Sequence, residues 1–463
     1  MAELHDLTAL EQAAAVRRGE TSPAELVEHY AERIGRLDGG IGAFARTTFD
    51  QARAQAAQPL PDGPLAGVPV GVKDLNLTAG VGTEFGSRAF AGFVPPVSDH
   101  VVTRMRDAGL VSLGKTATPE LGLPCYTETE VGPPTRNPWD TSRSAGGSSG
   151  GAGAAVAAGL LPLAQGSDGG GSLRIPGSVN GLVGLKVARG RISSGPVLGD
   201  TTGLAVNGPL TRTVRDAAAL LDVLAGPMPG DPHWAPPPDE PFLAACDRPP
   251  GRLRVGRTRE PIVPGAVVHP HVVEAYEQAS ALLEELGHEV EDIAPPYGPE
   301  LLPSFQVLWQ VSAAGTPLQP EQEQLLRPLT RWLRERGRAT SAPQFTAALS
   351  ALQSATRRGV TATAAYDVLL LPTLAQPPAP LGWFSDGVDP EEEFARMSRW
   401  TPFTAIFNTT GQPAVSLPLH TSPDGLPIGV MLVGRPAGEA ALLSLAAQLE
   451  AARPWAHRHP ALW

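Results

Sequence analysis

Residues 144–186, SAGGSSGGAGAAVAAGLLPLAQGSDGGGSLRIPGSVNGLVGLK, contain serine and glycine at a density that no ordinary core segment needs. Two small-residue loops, at 144–151 and 166–172, flank a short helix of Ala and Val predicted over 153–159. Glycine allows a backbone to approach a ligand closely and leaves N–H groups free to point at it. Serine-bearing loops at both ends of one helix therefore indicate a site rather than a scaffold.

The composition bounds the class of protein. The chain has 463 residues, of which 42% are hydrophobic and 18% charged, so a large core is possible. A net charge of −11 without a basic stripe argues against nucleic-acid binding. Cys125 and Cys246 are too few for a disulfide framework or a zinc cage. The chain shows neither a secretory signal nor an apolar run of about 18 residues, so we expect a cytoplasmic protein that does not enter a membrane.

The order of predicted elements favours one α/β domain over residues 1–463. We expect its core at about 60–225 and 366–455, with a variable, largely helical region on the substrate side at about 297–365. Residues 8–55 look helical, with a capping box at Ser22 and Glu25. A loop is predicted over 133–143 and a late pair of strands over 404–419 and 426–433.

The apolar run at 64–72 ends at Lys73, which is followed by Asp74. The ordinary interpretation is a strand-end lysine whose ammonium reaches solvent. Because side chains alternate along a strand, we expect Asp74 to point away from Lys73.

Two motif matches in the segment GLVSLGKT (109–116) are rejected. A P-loop must follow a strand and open a helix, but here the loop interior is itself strand-like and no long helix follows. The pair Ser112-x-x-Lys115 lacks the S-D-N and K-T-G partners of penicillin-binding enzymes.

The word GGSSG (146–150) matches the nucleophile elbow of α/β-hydrolases. That elbow needs a strand directly before it, whereas a loop is predicted here. It also needs a histidine, and no candidate has a distinguishing context: His269, His271, His288 and His420. The elbow stays open as an alternative hydrolase mechanism.

A third constellation joins Lys73 to Ser148 and Ser172, and through it the chain resembles the amidase signature family. The resemblance covers about residues 5–455 and is weakest at about 225–365. The matching words are GVPVGVKD (67–74), GKTATPELG (114–122), NPWD (137–140), GGSSGG (146–151), GSDGGGSLRIPGSVNGLVGLK (166–186), GRIS (190–193), GPLTRTVRDAA (208–218), FNTTGQPAVSLPL (407–419) and GLPIGVMLVG (425–434).

The resemblance implies a role for each matching residue. Ser172 corresponds to the nucleophile, Ser148 to the bridging serine that follows a cis peptide bond, and Lys73 to the base. Asp168 and Arg174 correspond to residues that brace the nucleophile loop. The implied oxyanion hole consists of the backbone N–H groups of Gly169, Gly170, Gly171 and Ser172. This sequence departs from the family pattern at Gly169, where Thr or Ile is frequent, and at Ser167, where Thr is frequent.

A lysine base must lose its proton near neutral pH. Lowering its pKa from about 10.4 to about 7 requires roughly 4.6 kcal/mol, which burial can supply. The apolar residues before Lys73 are consistent with such burial.

The substrate pocket is less defined by the sequence. Cys125 and Tyr126 lie in a loop that borders the pocket in the resembling family. Aromatic residues of the variable region are further candidates for its lining: Phe305, Trp309, Trp383 and Phe384.

The resemblance implies an α/β fold with a mixed central β-sheet covered by helices on both faces. It also implies an amidase that cleaves linear or cyclic amides through a seryl acyl-enzyme, with a small-molecule amide as substrate and with no cofactor and no metal. The words at 372–382 and 403–419 are most similar to bacterial amidases of the 6-aminohexanoate cyclic-dimer hydrolase type. Alternatives are the glutamine-hydrolysing component of a tRNA-dependent amidotransferase, and an esterase or acyltransferase using the same serine. The oligomeric state is open, with a homodimer as one option.

Overall fold

The backbone is organised around one large β-sheet. A computed structural model describes residues 3–197 and 201–463, and within them eleven strands form this sheet while two more form a small hairpin. The strands are β1 (Phe44–Thr47), β2 (Pro69–Lys73), β3 (Val111–Thr116), β4 (Arg136–Asn137), β5 (Asp140–Ser144), β6 (Leu163–Asp168), β7 (Val183–Lys186), β8 (Val206–Thr211), β9 (Arg254–Arg257), β10 (Glu289–Asp292), β11 (Val368–Pro372), β12 (Ala414–Thr421) and β13 (Pro427–Gly434).

The sheet is mixed. Its strand order is β1-β3-β2-β6-β8-β7-β12-β13-β11-β9-β10. Strands β3, β2 and β6 run parallel to one another, as do β11, β9 and β10, while the strands between β6 and β11 pair antiparallel. The parallel register sets Val72 of β2 opposite Gln165 of β6. The carboxyl ends of these two strands therefore meet at one edge of the sheet.

Helices account for most of the remaining regular structure. In the part of the chain that is described, they are α1 (Ala9–Arg18), α2 (Pro23–Ile41), α3 (Phe49–Ala56), α4 (His100–Asp107), α5 (Gly150–Ala157), α6 (Arg174–Asn180), α7 (Val214–Leu224), α8 (Phe242–Ala245), α9 (Pro270–Glu285), α10 (Leu301–Ala314), α11 (Pro320–Glu323), α12 (Pro328–Ala339), α13 (Ala342–Ala362), α14 (Pro390–Trp400), α15 (Ala405–Thr410) and α16 (Glu439–Ala452). The predicted capping box is present, because Ser22 and Glu25 bond reciprocally at the start of α2.

Both faces of the sheet are covered. Side chains alternate along each strand, so Val430 and Leu432 of β13 join one core with α7, α9 and α16, while Met431 and Val433 join another with α10 and α13. Helices α2, α3 and α5 cover the same second face further along the sheet, over β3. The prediction of a mixed sheet with helices on both faces is confirmed.

Three local predictions are wrong. The segment 133–143 is not a loop but contains the β4–β5 hairpin, whose turn forms because the Asn137 side chain accepts the Trp139 N–H at 2.9 Å. The start of 404–419 is helical, since α15 buries Ile406 and Phe407 before Gly411 ends it in a left-handed conformation. Strand β1 also interrupts the helical region predicted over 8–55.

Among residues 3–197 and 201–463, every helix is too short or too polar to cross a bilayer.

Candidate active site

Lys73 and Ser148 meet at the edge where β2 and β6 end. Lys73 is the last residue of β2, is fully buried, and donates from Nζ to Ser148 Oγ at 2.8 Å. The same Nζ lies 3.0 Å from Ser167 Oγ on the neighbouring parallel strand β6. The ordinary interpretation of a solvent-reaching lysine does not hold, because this ammonium is directed into the protein.

The surroundings of Lys73 favour its neutral form. Burial lowers the pKa of Lys73 to about 7, against an opposing effect of the Asp168 carboxylate. Asp74 points elsewhere, as strand alternation predicts: it accepts the Glu84 N–H at 3.0 Å and lies 3.9 Å from Lys115. The lysine is therefore poised to exchange a proton near neutral pH.

The backbone at the end of β2 is held by a buried polar network. The Gln165 side chain accepts the Lys73 N–H at 3.0 Å and donates to Asn76 Oδ1 and Asn207 Oδ1, each at 2.9 Å. This network fixes the position from which the Lys73 side chain extends.

Ser148 is presented by a tightly packed loop. The Gly147–Ser148 peptide bond is cis. Glycine is required at 147 because a Cβ there would lie 2.7 Å from the Tyr126 nitrogen. The next residue, Ser149, donates its N–H to the Ser172 carbonyl at 3.3 Å and accepts the Ser167 N–H on Oγ at 3.2 Å. The two serine-bearing loops thus contact each other.

Asp168 and Arg174 support the loop that carries Ser172. Arg174 donates from Nε and Nη2 to the two carboxylate oxygens of Asp168, at 3.0 and 2.9 Å, and both side chains are fully buried. Asn408 adds a further donor at 2.9 Å. Burial alone would raise the pKa of the Asp168 carboxyl, but Arg174 and the other donors hold it well below its usual range. Asp168 is therefore a permanent anion at the base of this loop.

The same carboxylate changes the expected set of oxyanion donors. Gly171 donates its N–H to Asp168 Oδ1 at 2.8 Å, so that group is engaged within the loop and is not directed at a substrate. The expectation that Gly171 contributes to an oxyanion hole is wrong for this reason. Gly169, Gly170 and Ser172 stay as candidates, and the Gly170 carbonyl is fixed by the Thr404 hydroxyl at 2.6 Å.

An apolar cavity opens beside Ser172. The space that it offers to the centre of a water-sized sphere is about 100 Å³. Cys125, Phe305 and Trp309 line it, as predicted. The remaining lining comes from segments that are distant in sequence: Leu123, Pro124, Gly170, Ile175, Ile262, Val263, Leu301, Leu302, Phe394, Met397, Ser398, Thr401, Pro402, Ala405, Ile406 and Thr409.

Three of the predicted lining residues lie elsewhere. Tyr126 is fully buried, stacks on Phe384 at 4.7 Å between ring centroids, and donates its hydroxyl to Glu393. Phe384 is also fully buried, and Trp383 lines a separate surface pocket with Arg399. Tyr126 and Phe384 therefore pack in the core behind the cavity and do not face a substrate. Their stacked rings contribute to the stability of that core.

The competing motifs do not form sites. Strand β3 runs through the would-be P-loop, and Lys115 is buried with its Nζ on the Asn76 carbonyl. A strand, β5, does precede GGSSG, contrary to expectation, but Ser148 is hydrogen-bonded to Lys73. The candidate histidines have other partners, such as Gln448 for His288 and Gln278 for His420. The elbow mechanism therefore loses its support.

Sequence reasoning missed Ser167 and Asn408 as parts of the site. Ser167 stands out in the sequence only as a departure from the family pattern, although its place one residue before Asp168, on a strand next to β2, is a usable signal. Asn408 contacts Asp168 from 240 residues away; it lies in the matching word at 407–419, but nothing in that word connects it with Asp168.

One group of side chains has the spacing of metal ligands. Within the described residues, Glu3, His5 and His29 bring ligand atoms within 4.8 Å of one another. His5 Nδ1 and His29 Nε2 are 3.0 Å apart, a distance that a hydrogen bond explains. The group contains none of the residues around Lys73.

The mixed α/β sheet, the buried lysine with its serine partners and the adjoining apolar cavity define the class of the protein as a hydrolase. The model of the family described as Amidase matches residues 25–443. The chain belongs to this family, the amidase signature family, and is an amidase. The family resemblance drawn from the motifs is thereby confirmed.

Individual relatives cover almost the entire chain. A 6-aminohexanoate-cyclic-dimer hydrolase of Pseudomonas sp. (strain NK87) is 39% identical over 474 residues, covering 97% of this chain and 96% of that protein. A putative amidase of Synechocystis sp. is 38% identical over 458 residues, covering 96% of this chain and 88% of the relative. The solved structure of 6-aminohexanoate cyclic dimer hydrolase complexed with substrate matches with a TM-score of 0.94 at 37% identity, over 100% of both chains.

Proposed function

We propose that this amidase cleaves a carboxylic amide through a seryl acyl-enzyme, with Ser172 as nucleophile, Ser148 as proton relay and Lys73 as base. The observation that carries the proposal is the 2.8 Å hydrogen bond between Lys73 Nζ and Ser148 Oγ, together with the pKa of about 7 for that lysine. A neutral lysine supplies the basicity that histidine supplies in other serine hydrolases.

In the first half-reaction, Lys73 accepts a proton from Ser148, which accepts one from Ser172. Ser172 Oγ then bonds to the amide carbon, and the carbonyl oxygen becomes an oxyanion. Backbone N–H groups of Gly169, Gly170 and Ser172 are the proposed donors to it, and one such donor typically contributes about 3–4 kcal/mol.

Collapse of the tetrahedral intermediate breaks the C–N bond. Ser148 gives its proton to the departing amine and regains one from Lys73. Water then attacks the acyl-enzyme, passing its proton along the same relay, and the carboxylic acid is released while Ser172 recovers its hydrogen. Atoms and charges balance without any other reactant.

The names of the relatives suggest which amides this enzyme cleaves. Because relatives bear the name 6-aminohexanoate-cyclic-dimer hydrolase, we include cyclic as well as linear amides. A structural neighbour from Thermotoga maritima, one component of a glutamyl-tRNA(Gln) amidotransferase, has 29% identity and a TM-score of 0.80 and keeps glutamine hydrolysis as a second candidate. Release of ammonia from glutamine, with simple amides left intact, would favour that second candidate.

The test is turnover of an anilide and of the matching ester by four variants. Ser172→Ala, Ser148→Ala and Lys73→Ala are each expected to lose at least about 10³-fold in kcat. Ser193→Ala, a buried serine bonded to His100 and Asp231, is the matched control and keeps wild-type rates. Wild-type turnover by Ser172→Ala would refute the proposal, and an ester rate without an amide rate would reassign the enzyme as an esterase.

A further inference from the structure

The cavity beside Ser172 is built for one chemical class of acyl group. Resting on the proposed function, we propose that it binds the acyl part of the substrate as an uncharged apolar group. Because its walls carry no charged side chain, it rejects acyl groups that end in a carboxylate or an ammonium.

The position of the cavity assigns it to the acyl side of the scissile bond. Its lining includes Gly170 and Ser172, which carry the proposed oxyanion donors and the nucleophile. Lys73, Ser148 and Ser167 are not part of the lining. The departing amine must reach Ser148 to collect its proton, so it lies on the relay side. The group on the other side of the carbonyl then extends into the cavity.

The walls offer no counter-charge. Among the described residues that line the cavity, every side chain is uncharged, and most are aliphatic, aromatic or thioether groups. An ionised group placed there would lose its hydration without gaining a partner, which is strongly unfavourable.

Apart from the nucleophile Ser172, the few residues in the lining that carry a hydroxyl group use it as a donor within their own helix. Ser398 donates to the Phe394 carbonyl at 2.9 Å, and Thr401 donates to the Met397 carbonyl at 2.9 Å, both one turn back along α14. Thr409 does the same toward Ala405 at 3.3 Å. Their hydrogens are therefore directed into the helices, and what they present to the cavity is mainly methyl and methylene surface.

Cys125 does not supply a charge either. Burial raises the pKa of its thiol well above the usual range, so it stays a neutral, weakly polar surface at neutral pH.

Trp309 determines where this apolar wall meets the reacting carbonyl. It stacks with Phe305 at 5.6 Å between ring centroids. A Cβ at Gly169 would lie 3.4 Å from the Trp309 ring, an ordinary van der Waals distance, so the indole packs directly over this position. The pairing of glycine at 169 with tryptophan at 309 brings an aromatic face against the proposed oxyanion loop.

The test compares p-nitroanilides that share one leaving group and differ only at the acyl terminus. We expect kcat/KM for the hexanoyl anilide to exceed that for the 6-aminohexanoyl and 5-carboxypentanoyl anilides by at least about 100-fold. Ser172-dependent hydrolysis with all three values within about threefold would overturn the proposal while leaving the proposed function intact.

A second variant tests the wall itself. Trp309→Ala enlarges the cavity and is expected to raise kcat/KM for the decanoyl anilide relative to the hexanoyl anilide by at least about fivefold. Trp234→Ala, at an indole that is 64% exposed, is the control and leaves the ratio unchanged. An unchanged ratio in Trp309→Ala would remove this residue from the acyl wall.

Binding of amides to the Ser172→Ala variant measures the preference of the cavity without turnover. By calorimetry, we expect hexanamide to bind at least about tenfold more tightly than 6-aminohexanamide or 5-carboxypentanamide. If no anilide is cleaved faster by the wild type than by Ser172→Ala, the proposed function fails. The cavity proposal fails separately if the charged amides bind as well as hexanamide.

Discussion

The pH dependence of the reaction should report directly on Lys73. Burial lowers the pKa of this lysine from 10.5 to about 7, which corresponds to a differential cost of about 5 kcal/mol for the charged form. Only the neutral amine accepts a proton from Ser148. The value of kcat/KM should therefore be constant above pH 8 and fall tenfold per pH unit below about 7, reaching about one-hundredth of the plateau near pH 5.

The assay is kcat/KM for a neutral anilide between about pH 5 and 9.5, where the substrate itself does not titrate. The Ser167→Ala variant tests whether the acid limb of this pH profile reports the titration of Lys73. Ser167 Oγ accepts a hydrogen bond from Lys73 Nζ at 3.0 Å and so stabilises the ammonium. Its removal should move the limb to lower pH by a few tenths of a unit, roughly the effect of one weak hydrogen bond. A flat profile, or a limb above about pH 9, would refute a buried lysine base.

Three further variants test the supports of the site. Asp168→Asn should lower the free energy of unfolding in urea by about 3–5 kcal/mol, because it leaves buried Arg174 without its anion. An unchanged unfolding midpoint would contradict the role of Asp168 and Arg174 in supporting the loop of Ser172. Gly147→Ala should abolish activity and lower the unfolding temperature, since its Cβ would lie 2.7 Å from the Tyr126 nitrogen. Lys73→Met should be inactive yet about 2 kcal/mol more stable at pH 7, with the hydrogen bonds lost to Ser148 and Ser167 offsetting part of the gain. The sign follows because the folded-state pKa of Lys73 lies below its unfolded value, so wild-type stability rises with pH between about 7 and 10.5, and the variant should lack that rise.

The parts of the site that sequence could identify are those built from contiguous loops. The words around Lys73, Ser148 and Ser172 each keep a loop, a strand end or a helix start together, so their resemblance to the family words nominates these residues, although local pattern alone favours an ordinary strand-end lysine at 73. The alternating elements indicate one α/β domain, and the family resemblance implies its mixed sheet. The helix α15 lies where the sequence predicts a strand, because a short apolar run does not distinguish the two.

The cavity could not be predicted in the same way. Its walls combine positions near 123, 262, 302 and 397, which only the tertiary fold brings together. Tyr126 is adjacent in sequence to the lining residue Cys125, yet its ring turns into the core to bond Glu393. The engagement of the Gly171 N–H by Asp168 was equally invisible, because it depends on the conformation of the loop and not on its composition.

The most direct test of the account is the identity of the acylated residue. Rapid acid quenching during turnover of an activated ester, for which deacylation is rate-limiting, followed by peptide mass spectrometry, should find the acyl group on Ser172, and Ser172→Ala should show none. Acylation of Ser148 or of Lys73, or turnover without any acylated protein at a substrate for which deacylation is rate-limiting, would contradict it.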